Sequence, residues 1–438
     1  MNSRLYLIIL TLMFFGANLA QQTPAKKQTE SILITNITLH VGNGKLLENS
    51  FVGFENGIIN YVSSSYPQSD YDIVIDGANK HAYPGFIAIN TSLGLGEIDA
   101  VRATIDEDEI GDFIPHVRSI IAYNAESKVV ETMRMNGVLL SQIAPNGGII
   151  SGSSSVVQLD AWNWEDAVIR YDQGIHLNWP SLYSRSGYSY YRGPSIVKKN
   201  EKYEAEVEKI KNFFDASKAY LSEENPRPVS LPYKAMARIF TGNATLFLHA
   251  DDKQQILDGI KFLQGQKVKN IVVVGGVNCL GAGDYLAENN IIVALKQPHN
   301  LPSMEDEDVK SRFRLASELV KKGVTISIDA TGEMTRMNTR NLPFFAGSFA
   351  AYGLETEKAV ESITLNAAKV LGIEDNYGSL EIGKSATLFI SNGDALDMRT
   401  NELTHAFIDG REISLDTNQK KLWRRYKKKV EEEKDIFK

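Results

Sequence analysis

The feature that most restricts the fold is an alternation of short apolar runs with helical patterns between about residues 84 and 375. The apolar runs are Val138–Ile143, Ser155–Leu159, Ala244–His249, Asn270–Val274, Ile291–Leu295 and Val324–Ile328. Between them lie helical patterns such as Glu201–Ser222, which places its apolar residues on one stripe. Strands that alternate with helices pair in parallel and are buried on both faces. The pattern therefore predicts a parallel α/β sheet, and its length suits a closed TIM barrel.

The two flanks of this region have a different pattern, with short strands and no helices between them. They comprise residues 31–83 and 378–413. In the first flank, Asn56–Gly57 stands between two apolar runs. This dipeptide predicts a two-residue hairpin turn, because both turn residues must take positive φ.

Charge and cysteine content exclude two classes of protein. The chain has 438 residues and a formal net charge of −7, without the basic excess typical of nucleic-acid-binding proteins. Cys279 is the only cysteine, so neither an intrachain disulfide nor a zinc site built from several thiolates can form.

The first twenty residues have the layout of a secretory signal peptide. Arg4 precedes the apolar run Leu5–Phe15, and small residues lead to a cleavage position after Ala20. The run is shorter than the roughly 20 residues that span a bilayer, and no later segment resembles a membrane span. No cysteine for lipid attachment lies near Ala20. We therefore expect an exported protein, periplasmic or extracellular, with residues 1–20 removed.

The tail, residues 416–438, reads as a highly charged helix. Leu422, Tyr426 and Val430 recur every four residues and form one apolar stripe. Stripes of this kind usually pack on the body of their own protein, so docking is the expectation. Contact with a partner or a membrane surface is the alternative.

Motifs at the domain boundaries resemble those of a known superfamily. Residues 80–96 contain Tyr-Pro-Gly-Phe-Ile, residues 359–372 contain Ile-Thr-Leu-Asn-Ala-Ala-Lys-Val-Leu-Gly, and residues 378–390 read Gly-Ser-Leu-Glu-Ile-Gly-Lys-Ser-Ala-Thr-Leu-Phe-Ile. In this order they resemble the amidohydrolase superfamily, in its imidazolonepropionase-related and dihydroorotase-like branch. The resemblance implies a distorted TIM (β/α)8 barrel over residues 84–377. It also implies a small composite β-sandwich domain built from residues 31–83 and 378–413.

The same resemblance implies a reaction and a metal centre. The superfamily hydrolyses mostly C–N bonds, using one or two divalent metals at the carboxyl end of the barrel. Such a metal lowers the pKa of bound water and makes hydroxide available near neutral pH. The ligands are a His-x-His pair on the first strand, histidines on the fifth and sixth, and an acid on the eighth.

Several of these ligand positions are substituted here. By the resemblance, Asn90 and Ser92 occupy the places of the first-strand histidines, and Gly275 the place of the sixth-strand histidine. Amide and hydroxyl oxygens are poor zinc ligands beside imidazole. His249 matches the fifth-strand histidine, with a core histidine as its other interpretation. The eighth-strand acid is Asp329, or Thr331 in a second alignment, and Asp329 also suits a turn cap.

Other mouth residues complete the candidate site. His176 and His299 are candidates for substrate binding, although a lone loop histidine such as His299 more often faces solvent. The segment Asn146–Ser155 is expected to form a loop at the barrel mouth, because it lacks the ending of a phosphate loop.

Three hypotheses follow from this substituted site. The first is an active hydrolase with a reduced or relocated site, in which Asp329 is catalytic and one zinc or other divalent metal is held by His249, Asp329 and a loop residue. The second is a catalytically silent barrel that binds a small molecule. The third is a structural partner, forming a homo-oligomer or a hetero-oligomer with an active homologue. Too few ligands remain to hold a metal tightly, so we expect none tightly bound.

Overall fold

A computed structural model describes residues 23–186, 196–302, 307–331 and 335–436. The predicted signal peptide, residues 1–20, lies outside the described residues. The strands are Ile32–His40 (β1), Leu46–Glu55 (β2), Ile58–Ser63 (β3), Ile73–Asp76 (β4), His81–Pro84 (β5), Phe86–Thr91 (β6), Val138–Ile143 (β7), Ile150–Gln158 (β8), Val168–Asn178 (β9), Tyr183–Ser186 (β10), Ile196–Lys199 (β11), Thr245–Asp252 (β12), Ile271–Asn278 (β13), Ile292–Lys296 (β14), Ile326–Asp329 (β15), Leu388–Ser391 (β16), Leu403–Ile408 (β17) and Arg411–Glu412 (β18).

The helices lie mostly between the later barrel strands. They are Val130–Met133 (α1), Trp164–Ala167 (α2), Tyr203–Ser222 (α3), Leu231–Thr241 (α4), Lys253–Gly265 (α5), Gly283–Glu288 (α6), Ser311–Lys321 (α7), Thr335–Asn338 (α8), Leu342–Ala351 (α9), Thr356–Ser362 (α10), Leu365–Leu371 (α11) and Asn418–Ile436 (α12). Short 3-10 turns occur at Arg102–Thr104, Ser119–Ala122, Arg134–Asn136, Leu280–Ala282 and Thr339–Asn341.

Eight strands close into a barrel, as the sequence predicts. Their order is β12-β13-β14-β15-β6-β7-β8-β9, with β9 returning to β12. The interior is filled by apolar side chains that include Ile89, Phe247 and Ala294. In the described part of the chain, β6 and β15 pair at a single position, Ile89 with Asp329. This seam joins the first and last strands of the barrel.

One strand runs against the predicted direction. The run Ser155–Leu159 was expected to be parallel, but β8 is antiparallel to both β7 and β9. The connection 144–149 explains this, because a parallel crossover needs about a dozen residues or more. The predicted mouth loop Asn146–Ser155 is accordingly a loop only as far as Ile149, since Ile150 begins β8.

Strands from both flanks share a second sheet beside the barrel. Its order is β18-β17-β16-β5-β1-β2-β3, and β4 pairs with β1. The hairpin predicted at Asn56–Gly57 is confirmed: it joins β2 to β3, and the two residues have φ of 53° and 83°. The sheet has its own apolar core, in which Phe54 and Phe407 pack edge to face.

A buried ion pair ties the chain start to the barrel. Arg134 and Asp160, both nearly inaccessible to solvent, form an ion pair of 2.5 Å. The other Asp160 oxygen accepts a hydrogen bond from the Ala25 backbone N–H at 2.8 Å and contacts Arg411 at 3.3 Å. Residues near both ends of the chain therefore meet at one carboxylate.

The expectation that the tail helix docks on the body is wrong. Helix α12 forms, but its apolar residues are exposed: Leu422 by 39%, Tyr426 by 55% and Val430 by 49%. Sequence periodicity indicates that a helix is amphipathic but does not indicate what covers the apolar side. No helix in the described ranges is long and apolar enough to cross a membrane.

Candidate functional site at the barrel mouth

A cavity of about 140 Å³ lies at the carboxyl ends of the barrel strands. TIM-barrel proteins carry their functional sites at this end. The lining residues are Asn90, Ser92, Pro145, Asn146, Gly147, Ser151, Asn178, His249 and Thr331. Most of them offer an amide or a hydroxyl, so the cavity is polar and none of these lining residues carries an acidic side chain.

Strand alternation brings His249 and Lys296 to this mouth. Phe247 and Ala294 point into the barrel core. Side chains two positions further along a strand lie on the same face, so His249 and Lys296 form the next layer toward the opening. In the strand register Lys296 stands beside Asp329. Three residues with ionisable side chains thus lie near the carboxyl ends of three strands around one opening: Lys296 and Asp329 are the last residues of β14 and β15, and His249 is three residues from the end of β12.

A chain of hydrogen bonds crosses the floor of the mouth. The Asn90 backbone N–H donates to Gln142 Oε1 at 2.8 Å, which fixes the orientation of the Gln142 amide. Gln142 Nε2 then donates to Ser154 Oγ at 2.9 Å. The Ser154 hydroxyl lies 2.9 Å from His176 Nε2, and His176 Nδ1 lies 2.9 Å from His249 Nε2.

The direction of this chain determines the tautomer of each histidine. Ser154 Oγ also accepts a hydrogen bond from Gln173 Nε2 at 3.3 Å, so its proton is left for His176 Nε2. His176 therefore carries its proton on Nδ1 and donates it to His249 Nε2. Neutral His249 then carries its own proton on Nδ1. The lone pair of His249 is used within the protein.

Burial keeps both rings uncharged. It lowers the pKa of His176 well below the ordinary value, and the neighbouring His249 lowers it further. Burial, followed by the charge of Lys296, lowers the pKa of His249 to about 4. The His176 ring also stacks on Phe247, with the two planes 6° apart. The two imidazoles are thus held in place as neutral groups.

Asp329 ends the last barrel strand, as predicted, and is 2% exposed. Its Oδ1 accepts hydrogen bonds from the Thr331 backbone N–H at 2.9 Å and from Asn90 Nδ2 at 3.4 Å. Its Oδ2 accepts the Thr331 hydroxyl at 2.6 Å. Burial raises the pKa of Asp329 to about 6, while these bonds and the Lys296 charge oppose the shift. Asp329 and Thr331, the two candidates for the eighth-strand acid position, therefore belong to one hydrogen-bonded turn.

Ser92 and Gly275, the two other substituted ligand positions, have different surroundings. Ser92 lines the cavity and is 3% exposed, and its Oγ has no hydrogen-bond partner among the described residues. Gly275 has φ of +107°, and a Cβ there would lie 2.5 Å from Asp251 Oδ1. A histidine at position 275 would therefore be strained by this φ and would require the Asp251 side chain to move.

The donor set does not fit a zinc ion in this arrangement. Within the described ranges, no three His, Cys, Asp or Glu side chains are grouped closely enough to hold a metal. Zinc sites take three or four such ligands. His249 contributes no free lone pair, since Nε2 accepts from His176 and Nδ1 carries the proton.

His299 is not brought to the cavity. It is exposed, its Nε2 lies 3.0 Å from Ser348 Oγ, and its ring contacts Phe313 and Phe345. Of the two predicted substrate-binding histidines, His176 lies at the mouth floor but is fully buried behind His249.

Sequence reasoning did not single out Lys296, Gln142 or Asn178 as site residues. Asn178 donates to the Gly148 carbonyl at 2.9 Å and to Ser151 Oγ at 3.0 Å, which holds the loop 144–149 at the cavity edge. Their position in the strands could have indicated them, because each of the three lies within two residues of the carboxyl end of its strand.

The closed eight-stranded barrel, with its cavity at the carboxyl ends of the strands, places the fold in the class of TIM-like barrels, from which it departs by the antiparallel strand β8. The amidohydrolase family model matches residues 278–413. The 5-methylthioadenosine/S-adenosylhomocysteine deaminase of Thermoanaerobacter pseudethanolicus is 22% identical, over 82% of this chain and 85% of its own length. An imidazolonepropionase of Fusobacterium nucleatum is 29% identical, over 32% of this chain and 37% of its own.

Solved structures give the same result for the fold. The crystal structure of an amidohydrolase from Thermotoga maritima superposes with a TM-score of 0.72 at 21% identity, covering 87% of this chain and 99% of the other. In sequence and in fold, the chain is therefore similar to members of the amidohydrolase superfamily.

Proposed function

We propose that this protein is an exported member of the C–N hydrolase superfamily whose metal site is degenerate, and that its barrel mouth binds a small polar molecule. The hydrogen bond from His176 Nδ1 to His249 Nε2 carries the proposal. It consumes the lone pair of His249, the one histidine at a metal-ligand position of the superfamily.

The cavity limits the ligand by size and chemistry. A volume of about 140 Å³ holds a molecule equivalent to roughly five waters at about 30 Å³ each. Its walls offer amides and hydroxyls that pair with both donors and acceptors. Ser92 Oγ is buried without a partner, and such a group is costly unless a ligand or water completes it. Small amides, ureas and cyclic amides fit this description.

Metal content and ligand binding test the proposal together. Elemental analysis of the purified full-length protein should find far less than one divalent metal per chain. Calorimetric titration with a panel of small amides, ureas and cyclic amides should identify a ligand that Ser92→Ala weakens. Ser217→Ala is the matched control, because Ser217 is fully buried on α3 and bonds to the Phe213 carbonyl away from the cavity. Near-stoichiometric zinc retained through chelator dialysis would overturn the degenerate-site proposal.

Active hydrolysis remains a second candidate because of one observation. Asp329 has its pKa raised to about 6 and lies at the mouth, where such a carboxyl suits general acid–base chemistry. This candidate expects amide hydrolysis that Asp329→Asn abolishes. Assays with and without added zinc separate it from the silent-barrel alternative, which expects no turnover in either condition.

Export has its own test. The proposal expects the mature protein to begin near Gln21 and to lie outside the cytoplasm. N-terminal sequencing of the native protein decides this, and an intact Met1 in the soluble cytosolic fraction would refute it.

A further inference from the structure

Helix α12 presents an apolar stripe that nothing in the described chain covers. The stripe consists of Leu422, Trp423, Tyr426 and Val430, which recur at helical spacing and are 39%, 60%, 55% and 49% exposed. The start of the helix is fixed, since the Asn418 N–H donates to buried Glu131 at 2.7 Å. The remaining turns extend from the body with every described position solvent-exposed.

The charge around this stripe is strongly one-sided. Residues 420–429 contain Lys420, Lys421, Arg424, Arg425, Lys427, Lys428 and Lys429 and no acidic residue. Within the helix, acidic residues follow the stripe, at Glu431–Glu433 and Asp435. Three of the seven basic residues form exposed ion pairs, Arg424 with Asp416, Lys427 with Glu431 and Lys428 with Glu432, which leaves the segment with a positive excess. Two of the basic groups lie over the stripe's rings, with Lys427 5.0 Å from Trp423 and Arg425 5.0 Å from Tyr426. The surface therefore combines apolar rings with a dense positive field.

Charge argues against a second copy of this helix as the occupant. An antiparallel pairing centred on Tyr426 would place Lys427 against Arg425 of the other copy. A parallel pairing would place each basic residue against itself. Like charges held opposite one another are destabilising.

An anionic bilayer matches both properties. Interfacial helices carry Trp and Leu on one side and Lys or Arg on the other, and they lie in the headgroup plane. Long basic side chains extend their charges to the phosphates while their methylene stems cover apolar surface. We propose that α12 docks the protein on an anionic lipid surface, with Leu422, Trp423, Tyr426 and Val430 inserted below the headgroups.

Tryptophan fluorescence of the full chain tests this docking at the residue concerned. Vesicles of phosphatidylcholine mixed with phosphatidylglycerol should shift tryptophan emission to shorter wavelength, and phosphatidylcholine alone should not. Trp423→Phe should abolish the shift. Trp162→Phe is the control and should retain it, because Trp162 is equally exposed but lies on the body. A shift that persists in Trp423→Phe would overturn the proposal and would assign vesicle contact to another segment.

Charge variants test the electrostatic part. Lys427→Gln, Lys428→Gln and Lys429→Gln combined should weaken binding to the anionic vesicles roughly a hundredfold, at about fivefold per lysine. Lys199→Gln, Lys202→Gln and Lys209→Gln combined remove the same charge from exposed positions on the body and should change little. Equal loss in both triples would overturn the proposal. The proposal would also be overturned if sedimentation without lipid showed a dimer that the substitution Leu422→Ser dissociates. Such a dimer would mean that a second copy of the chain covers the stripe.

Discussion

Gly275→Ala should destabilise the protein because of both its backbone and its surroundings. A residue with a side chain at positive φ costs about 1–2 kcal/mol. The new Cβ would also lie 2.5 Å from Asp251 Oδ1 and 3.1 Å from the Ala250 carbonyl, and overpacking of this kind costs about 1–3 kcal/mol. We expect the free energy of unfolding to fall by about 3 kcal/mol in total, from the sum of these two effects.

The chain offers a control for each effect. Gly383 has φ of +93° and nothing within 4 Å of its Cβ position, so Gly383→Ala reports the backbone cost alone. Asp251 Oδ1 is buried without a hydrogen-bond partner in the described structure, so Asp251→Ala removes the close contact at little cost. The double variant of Gly275→Ala and Asp251→Ala should lose only about as much stability as Gly383→Ala.

Urea unfolding followed by circular dichroism measures all four variants against the unaltered chain. Equal losses in Gly275→Ala and Gly383→Ala would refute the argument from contact with Asp251. A double variant no more stable than Gly275→Ala alone would refute it as well. The result also bears on metal binding, because a histidine at position 275 meets the same obstacle.

Three further outcomes are expected. Burial raises the pKa of Asp329 from 3.8 to about 6, so the folded state keeps this proton at a pH where the unfolded state has released it, and the free energy of unfolding should fall as pH rises from about 4 to about 6. In Asp329→Asn, the free energy of unfolding should not show the decrease that Asp329 contributes, as urea unfolding at both pH values would show. Burial raises the pKa of Cys279 to about 12, so its thiol should react with an aromatic disulfide reagent only after unfolding, measured by absorbance with and without denaturant. Arg134→Met should cost about 3 kcal/mol because it removes a buried partner of Asp160, whereas Arg102→Met breaks an exposed pair and should change the free energy of unfolding far less, both measured by urea unfolding.

Sequence reasoning predicted the barrel strands where the pattern is local. Runs such as Asn270–Val274 are apolar throughout, as strands buried on both faces must be. Strand β9 was not among the predicted apolar runs, because Val168–Asn178 mixes charged and apolar residues without a clear period. The direction of β8 was predictable in principle, since the short connection 144–149 permits only an antiparallel return.

The site was predictable as a set of positions but not as a network. The superfamily motifs located Asn90, His249 and Asp329, and all three do lie at the mouth. The contact between His176 and His249 joins residues far apart in sequence, and no local pattern encodes such a pair. The ring tautomers follow from the orientations of Gln142, which a backbone N–H fixes, and of Gln173, which also donates to Ser154.

The seam between β6 and β15 has a consequence for how the molecule assembles. Strands β7, β8 and β9 are neighbours in sequence and can pair early through short connections. The contact of Ile89 with Asp329 instead joins the two ends of the barrel across nearly its whole length of chain, and contacts of such long range form slowly. Closing this seam is therefore expected to be the final step of barrel folding. Because Asn90 and Asp329 meet at this seam, the polar cavity forms only after β15 has paired with β6 and the barrel has closed.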